Sequence, residues 1–256
     1  MSRLSQPVQK YLMIVTLIYY GQATSVCCSI RYGFLADSFS GLGISGKVYG
    51  VVEGSMFIGF LGIYLVGGVE RVMRHVNSRY LLATITGSFA VTSLATGLVF
   101  LIDNNLILIT VSTALRVVQG VLSYACSLVA VDFINAQLST QFDLVNGLLS
   151  MGFFSGYGIA EVMGCVLYDS FGYVPPFLFA CTMAITATCF IITIIPKSAT
   201  YLASQEGTLL EDLPNASSRR ITKVIFLPIA AIALINLNYG ALQVCSYGAV
   251  VRASDC

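Results

Sequence analysis

Seven stretches of about twenty mostly apolar residues dominate this chain, and each is long enough to cross the hydrocarbon layer of a bilayer as a helix. They lie near Tyr11–Ile30, Val48–Val69, Tyr80–Ile102, Leu106–Val131, Leu144–Tyr168, Pro176–Ile195 and Val224–Val250. With no water in the bilayer core, each span must satisfy its own backbone hydrogen bonds, which a helix does. Charged residues are only 10% of the chain, against roughly 25% in an ordinary soluble domain. The expected class is therefore an all-α membrane protein. The first apolar segment is too long for a signal peptide and is followed by others like it, so it reads as a retained span.

Two connections are long. "RYGFLADSFSGLGISGK" follows the first span, and "PKSATYLASQEGTLLEDLPNASSRR" separates the sixth from the seventh. The second divides the chain into a six-span unit (1–196), a polar linker (197–223) and a seventh span with a short tail (224–256). Lys and Arg concentrate on one side: Arg3, Lys10, Arg71, Arg74, Arg79, Lys197, Arg219, Arg220 and Lys223, against Arg31, Lys47 and Arg252 opposite. This asymmetry places the N-terminus and the linker in the cytoplasm. Asn215-Ala-Ser217 then lies on the cytoplasmic side, where a glycosylation motif is silent.

A net charge of +1 gives no argument for nucleic acid. The cysteines fall in or beside apolar runs without CxxC spacing, and there is one histidine. They read as small buried hydrophobes, with no metal and no cofactor expected. No HExxH, GxSxG or phosphate loop marks an enzyme.

Against this background one residue stands out. Arg116, in "ALRVVQGVLSYACSLVAVDF", sits deep in the fourth span, where a charge costs at least about 2.5–3.5 kcal/mol. It reads either as a coupling group that holds and releases an acid, or as a structural ion pair. Gln119 shares nearly the same helix face and adds a hydrogen bond; Gly120 leaves room beside it. Glu53 is the candidate acid, or else a residue snorkelling to water near the end of span 2. Glu161, deeper in span 5, reads either as a proton site or as a mark of relaxed function. Asp132 and Asp169 read as span-end residues. Tyr19, Tyr20 and Gln22 give span 1 a polar, aromatic face that reads either as the lining of a cavity able to hold an amine or as interface-belt residues.

Two rows of small residues recur at four-residue spacing: Gly46, Gly50 and Gly54 on span 2, and Gly152, Gly156, Ala160 and Gly164 on span 5. Such rows let another backbone approach closely.

"LRVVQG" (115–120) resembles the Arg-x-x-Gln-Gly motif in the fourth span of the major facilitator superfamily. "MGCVLYDSFGYVPPFLFA" (163–180) resembles the fifth-to-sixth span junction of its vesicular amine transporter branch, nearest to the vesicular polyamine type. "ERVMR" (70–74) is similar to the family's acidic-Arg-x-Gly-Arg loop, with Met73 at the expected glycine. The likeness runs from about residue 11 to 250 and is most specific at 163–180. In span 5 this chain departs from the family's Gly-Pro and Gly-Gly pattern, with Ala160, Glu161, Gly164 and Cys165 at the matching positions.

The resemblance implies the six-helix N-terminal half of a major facilitator fold plus a seventh transmembrane helix. It implies a transporter in a vesicular or other intracellular membrane, exchanging small organic cations (amines or polyamines) for protons. Glu70, Arg71 and Arg74 would form a gating loop, though a basic loop that only sets topology reads the same way. In the family, spans 2 and 5 pack against the opposite half. The two glycine rows are therefore expected to meet a second copy of this chain or a full-length relative. The competing expectation is a truncated, non-transporting membrane protein that pairs with such a relative. A seven-span receptor matches in span number but not in orientation.

Overall fold

The computed structural model describes residues 6–196, apart from 68, 70–75 and 103. The linker, the seventh span and the loop residues Glu70, Arg71 and Arg74 lie outside the described residues. Six long helices form the described part: α1 (Gln6–Ser29), α2 (Gly46–Val66), α3 (Ser78–Val99), α4 (Asn105–Gln137), α5 (Phe142–Phe171) and α6 (Val174–Ile194). All six are long and apolar enough to cross a membrane, and the described secondary structure is helical throughout. A short helix, Leu35–Gly41, lies in the connection between α1 and α2.

Local chemistry explains several boundaries. Asn77 caps α3 by accepting from the Arg79 amide, and Asn104 caps α4 by accepting from the amides of Leu106 and Ile107. Pro175 and Pro176 fall in the first turn of α6, where a missing N–H costs nothing. Gly67, at φ 60°, ends α2 in the left-handed conformation that glycine adopts without strain. The fourth helix continues six residues past the expected Val131, through Asp132, to Gln137.

The most extensive pairings, all but one between helices that are not consecutive, are α1 with α5 and α6, α2 with α4, and α3 with α4 and α6. Exchanging the first three helices for the last three leaves these pairings unchanged. The α1–α5 pair becomes α4–α2, α1–α6 becomes α4–α3, and α3–α6 maps onto itself. Three successive crossings reverse direction, so two such triplets have inverted topology.

Glycines set the closest approaches. A Cβ at Gly120 would enter the Met56 carbonyl, and one at Gly59 would enter the Val117 carbonyl. The α2–α4 crossing is thus backbone against backbone. On α5, a Cβ at Gly152 would lie 2.6 Å from the Ile18 carbonyl oxygen and one at Gly156 2.6 Å from that of Gln22, while Gly164 abuts Ile30. The α5 row therefore packs on α1 within the same chain, which corrects the expectation that it meets another molecule. The backbone of α1 from Ile18 to Ile30 occupies the row. Gly46, Gly50 and Gly54 differ: nothing described lies within 4 Å of a Cβ at any of them.

The end of the bundle where α1 finishes and α2 begins is closed by rings. Phe34 stacks on Tyr168 (4.8 Å between centroids) and Phe100 on Tyr173 (3.7 Å), with Phe177 edge-on to Phe34. These rings come from the connection after α1, the end of α3 and the stretch 163–180.

Candidate functional site

The site begins with the buried face of α4, where Leu108, Ser112, Arg116, Gln119 and Gly120 recur at helical spacing. Arg116 is the twelfth residue of that helix, roughly 16 Å from its start. Its side chain is completely buried and fully engaged on both terminal nitrogens. Nη2 donates to Glu53 Oε2 on α2 in a salt bridge. Nη1 donates to the Cys28 carbonyl (2.9 Å) at the end of α1 and to Gln119 Oε1 (3.2 Å) one turn along α4. The guanidinium also lies 5.3 Å from the centre of the Tyr32 ring, a cation–π distance.

A second arginine joins it. Arg31 is 1% exposed; its Nη2 donates to Gln119 Oε1 and its Nε lies 3.5 Å from Glu53 Oε1. Its place after the first apolar span predicts a loop charge. The structure corrects this: the two turns after α1 and the short helix fold the residue back under the aromatic closure.

Glu53 is the one described carboxylate paired with either arginine. It is the eighth residue of α2 and keeps 14% of its side chain exposed, so it is an ion-pair partner and not a snorkelling surface group. Three buried polar atoms of the cluster have no hydrogen-bond partner: Arg31 Nε, Arg116 Nε and Glu53 Oε1. Tyr49 and Tyr173 lie within electrostatic reach of Arg31, and Tyr157 of α5 within that of Arg116.

The structure thus brings together Arg116, Gln119 and Glu53 and adds Arg31, which sequence reasoning missed. Gly120 belongs to the α2–α4 backbone contact; its role is packing and not coupling. Glu161 is half-buried on α5 one turn beyond Tyr157, and its backbone carbonyl sits beside Gly33; the ion pairs of both arginines run to Glu53 instead. Tyr20 is fully buried with its hydroxyl donating to the Cys126 carbonyl (3.2 Å), so it is a core residue and does not line a cavity. Tyr19 donates to Met183 Sδ of α6 (3.2 Å), and Gln22 donates to Ser155 Oγ of α5 (3.0 Å). Among the cysteines, Cys189 is exposed and Cys165 half-buried, against the expectation of uniform burial. Asp169 is exposed in the last turn of α5, and Asp132 is half-buried inside α4.

Beyond the ring closure, a cavity of about 230 Å³ is lined by Asp37, Ser38, Gly41, Leu42, Phe100, Tyr168 and Tyr173. Burial, then the neighbouring Asp169 charge, raise the Asp37 carboxyl above its ordinary pKa. Among the described residues no group of His, Cys, Asp and Glu is placed to hold a metal.

The chain matches no protein-family model and no curated protein sequence.

Proposed function

We propose that this chain is a membrane transporter of the major facilitator type, coupled to protons through Glu53. The observation that carries the reading is the Arg116–Glu53 ion pair, buried between two membrane-spanning helices. An intramembrane charge pair is costly to keep and is a default marker of a transport pathway. Protonation of Glu53 removes the negative partner of Arg116, which loosens the α2–α4 contact; deprotonation restores it. A proton on one residue thereby shifts the balance between two helix arrangements.

Two further observations support the lineage. The Arg-x-x-Gln-Gly residues lie on the buried face of α4, and the helix pairings have the exchange pattern of an inverted repeat. The cargo is a small organic cation, an amine or polyamine, exchanged for protons across an intracellular vesicle membrane, with the N-terminus cytoplasmic. Two cations against one carboxylate make the arginine cluster a poor seat for such a cargo. The cavity beside Asp37, Phe100, Tyr168 and Tyr173 offers the carboxylate and ring faces a cation takes.

Purified chain in liposomes with an imposed pH gradient tests this. Uptake of labelled amines and polyamines is expected, abolished by Glu53→Gln and by a protonophore. No uptake of any of them by correctly inserted protein overturns the reading.

A second reading has its own observation. The open glycine face of α2, Gly46, Gly50 and Gly54, suits a non-transporting chain that pairs with a full-length relative. Disulfide trapping from Gly54→Cys in membranes tests it; trapped pairs without uptake favour it.

A further inference from the structure

The arginine cluster does not balance its charge. Arg31 and Arg116 contribute two positive charges and Glu53 one negative. Among the described residues, the other titratable groups that act on the arginines are Tyr32, Tyr49, Tyr157, Tyr173 and Cys28, none charged at neutral pH. Among the described residues one positive charge is therefore left over, on side chains that are 0% and 1% exposed. A buried, unpaired charge is among the most costly features a fold can carry.

Hydrogen bonding is unbalanced in the same sense. Each guanidinium offers five N–H groups and no acceptor. The oxygen acceptors they meet are the Cys28 carbonyl, Gln119 Oε1 and the two Glu53 oxygens, and Gln119 Oε1 serves both arginines. Neither Nε makes a hydrogen bond, although Arg31 Nε lies 3.5 Å from Glu53 Oε1, which makes none either. Surplus charge and surplus donors coincide at one place, beside the partly exposed Glu53.

We propose that Arg31 and Arg116 together bind a small monovalent anion, of the size of chloride, next to Glu53. The anion accepts from the guanidinium N–H groups that lack partners and neutralises the odd charge. The assignment is independent of what the chain transports, because it rests on the composition of the cluster alone. It also fixes a sign of coupling. Neutralising Glu53 leaves two uncompensated arginines, so a proton on Glu53 strengthens anion binding, and a bound anion favours that proton equally. The groups facing Glu53 from neighbouring elements are Arg31 after α1 and Arg116 on α4, so its protonation is the event that changes the cluster's charge.

Thermal unfolding of the purified full chain in detergent tests this, with sodium chloride titrated against sodium gluconate at constant ionic strength. Chloride is expected to raise the midpoint saturably while gluconate does not. Arg31→Gln, which leaves a neutral Arg116–Glu53 pair, removes the saturable part. Glu53→Gln tightens the chloride response at least about tenfold, the effect of one unit charge at short range. Equal responses of wild type to chloride and gluconate overturn the proposal, whatever the variants do. So does an Arg31→Gln protein that retains the wild-type response.

Discussion

Arg31 and Arg116 donate to the same oxygen, Gln119 Oε1, and flank the same carboxylate, Glu53. One residue follows the end of α1, the other lies inside α4, and their shared acceptors make the cluster a three-helix joint. Arg31 and Glu53 are held from other elements, while Arg116 and Gln119 also bond to each other within α4.

Removing the carboxylate should be the most damaging single change. Glu53→Gln leaves two buried cations facing each other and is expected to cost about 3 kcal/mol of stability. Adding Arg31→Gln to that variant removes one of the two uncompensated cations and should recover part of the loss. Chemical denaturation in a gluconate buffer checks both, and additive losses in the double variant would refute the shared-partner account.

The α2–α4 crossing predicts a sharp contrast among glycines. Gly120→Ala places a methyl group in the Met56 carbonyl, whereas Gly50→Ala meets nothing described. The first should lower stability by about 1–3 kcal/mol or prevent folding, the range for overpacking a tight contact. The second should be close to neutral. Size-exclusion profiles and melting midpoints in detergent separate them.

The α5 row gives a parallel test against α1. Gly156→Ala drives a methyl group toward the Gln22 backbone and Ser25 Cβ, while Gly158→Ala, two residues on, meets nothing described within 4 Å. Only the first should lower the melting midpoint. Equal effects would show that the row does not carry the α1–α5 contact.

Acidity at the ring-closed end has a defined sign. The Asp37 carboxyl is raised from its ordinary 3.8 by burial and then by Asp169. The folded chain thus holds that proton more tightly than the unfolded chain does. Its contribution to stability is fully present below that ordinary value and is lost as pH rises through the raised one. Asp37→Asn should therefore raise the melting midpoint slightly at neutral pH and leave it unchanged near pH 3. A midpoint unchanged at both would show that neither burial nor Asp169 raises the Asp37 carboxyl.

The six helices were legible because a bilayer demands length and apolarity together, and both are visible in the residues. The extension of α4 was not. Asp132, Asn135 and Gln137 end the apolar run while the backbone remains helical to Gln137; hydropathy reports contact with lipid, not helix length. Arg116, Glu53 and Gln119 were accessible because charge and amide groups are rare inside such spans. Arg31 was hidden by its place just after the apolar stretch, beside Tyr32 and Gly33, where a loop is the ordinary reading. Its signal was the lack of any other charge between Lys10 and Asp37. The glycine spacing on α5 announced a close neighbour, but spacing carries no address. That the neighbour is α1 follows only from the way the helices interleave.

That interleaving bears on how the chain is made. Because α1 rests on α5 and α6, and α2 on α4, the earliest helices leaving a ribosome find their partners only after most of the others have been synthesised. Arg31 and Glu53 emerge within the same short span of chain and can neutralise each other during insertion, while Arg116 arrives later as the odd charge. The order of synthesis thus delivers a matched pair to the bilayer first and the unmatched residue once a bundle exists to receive it.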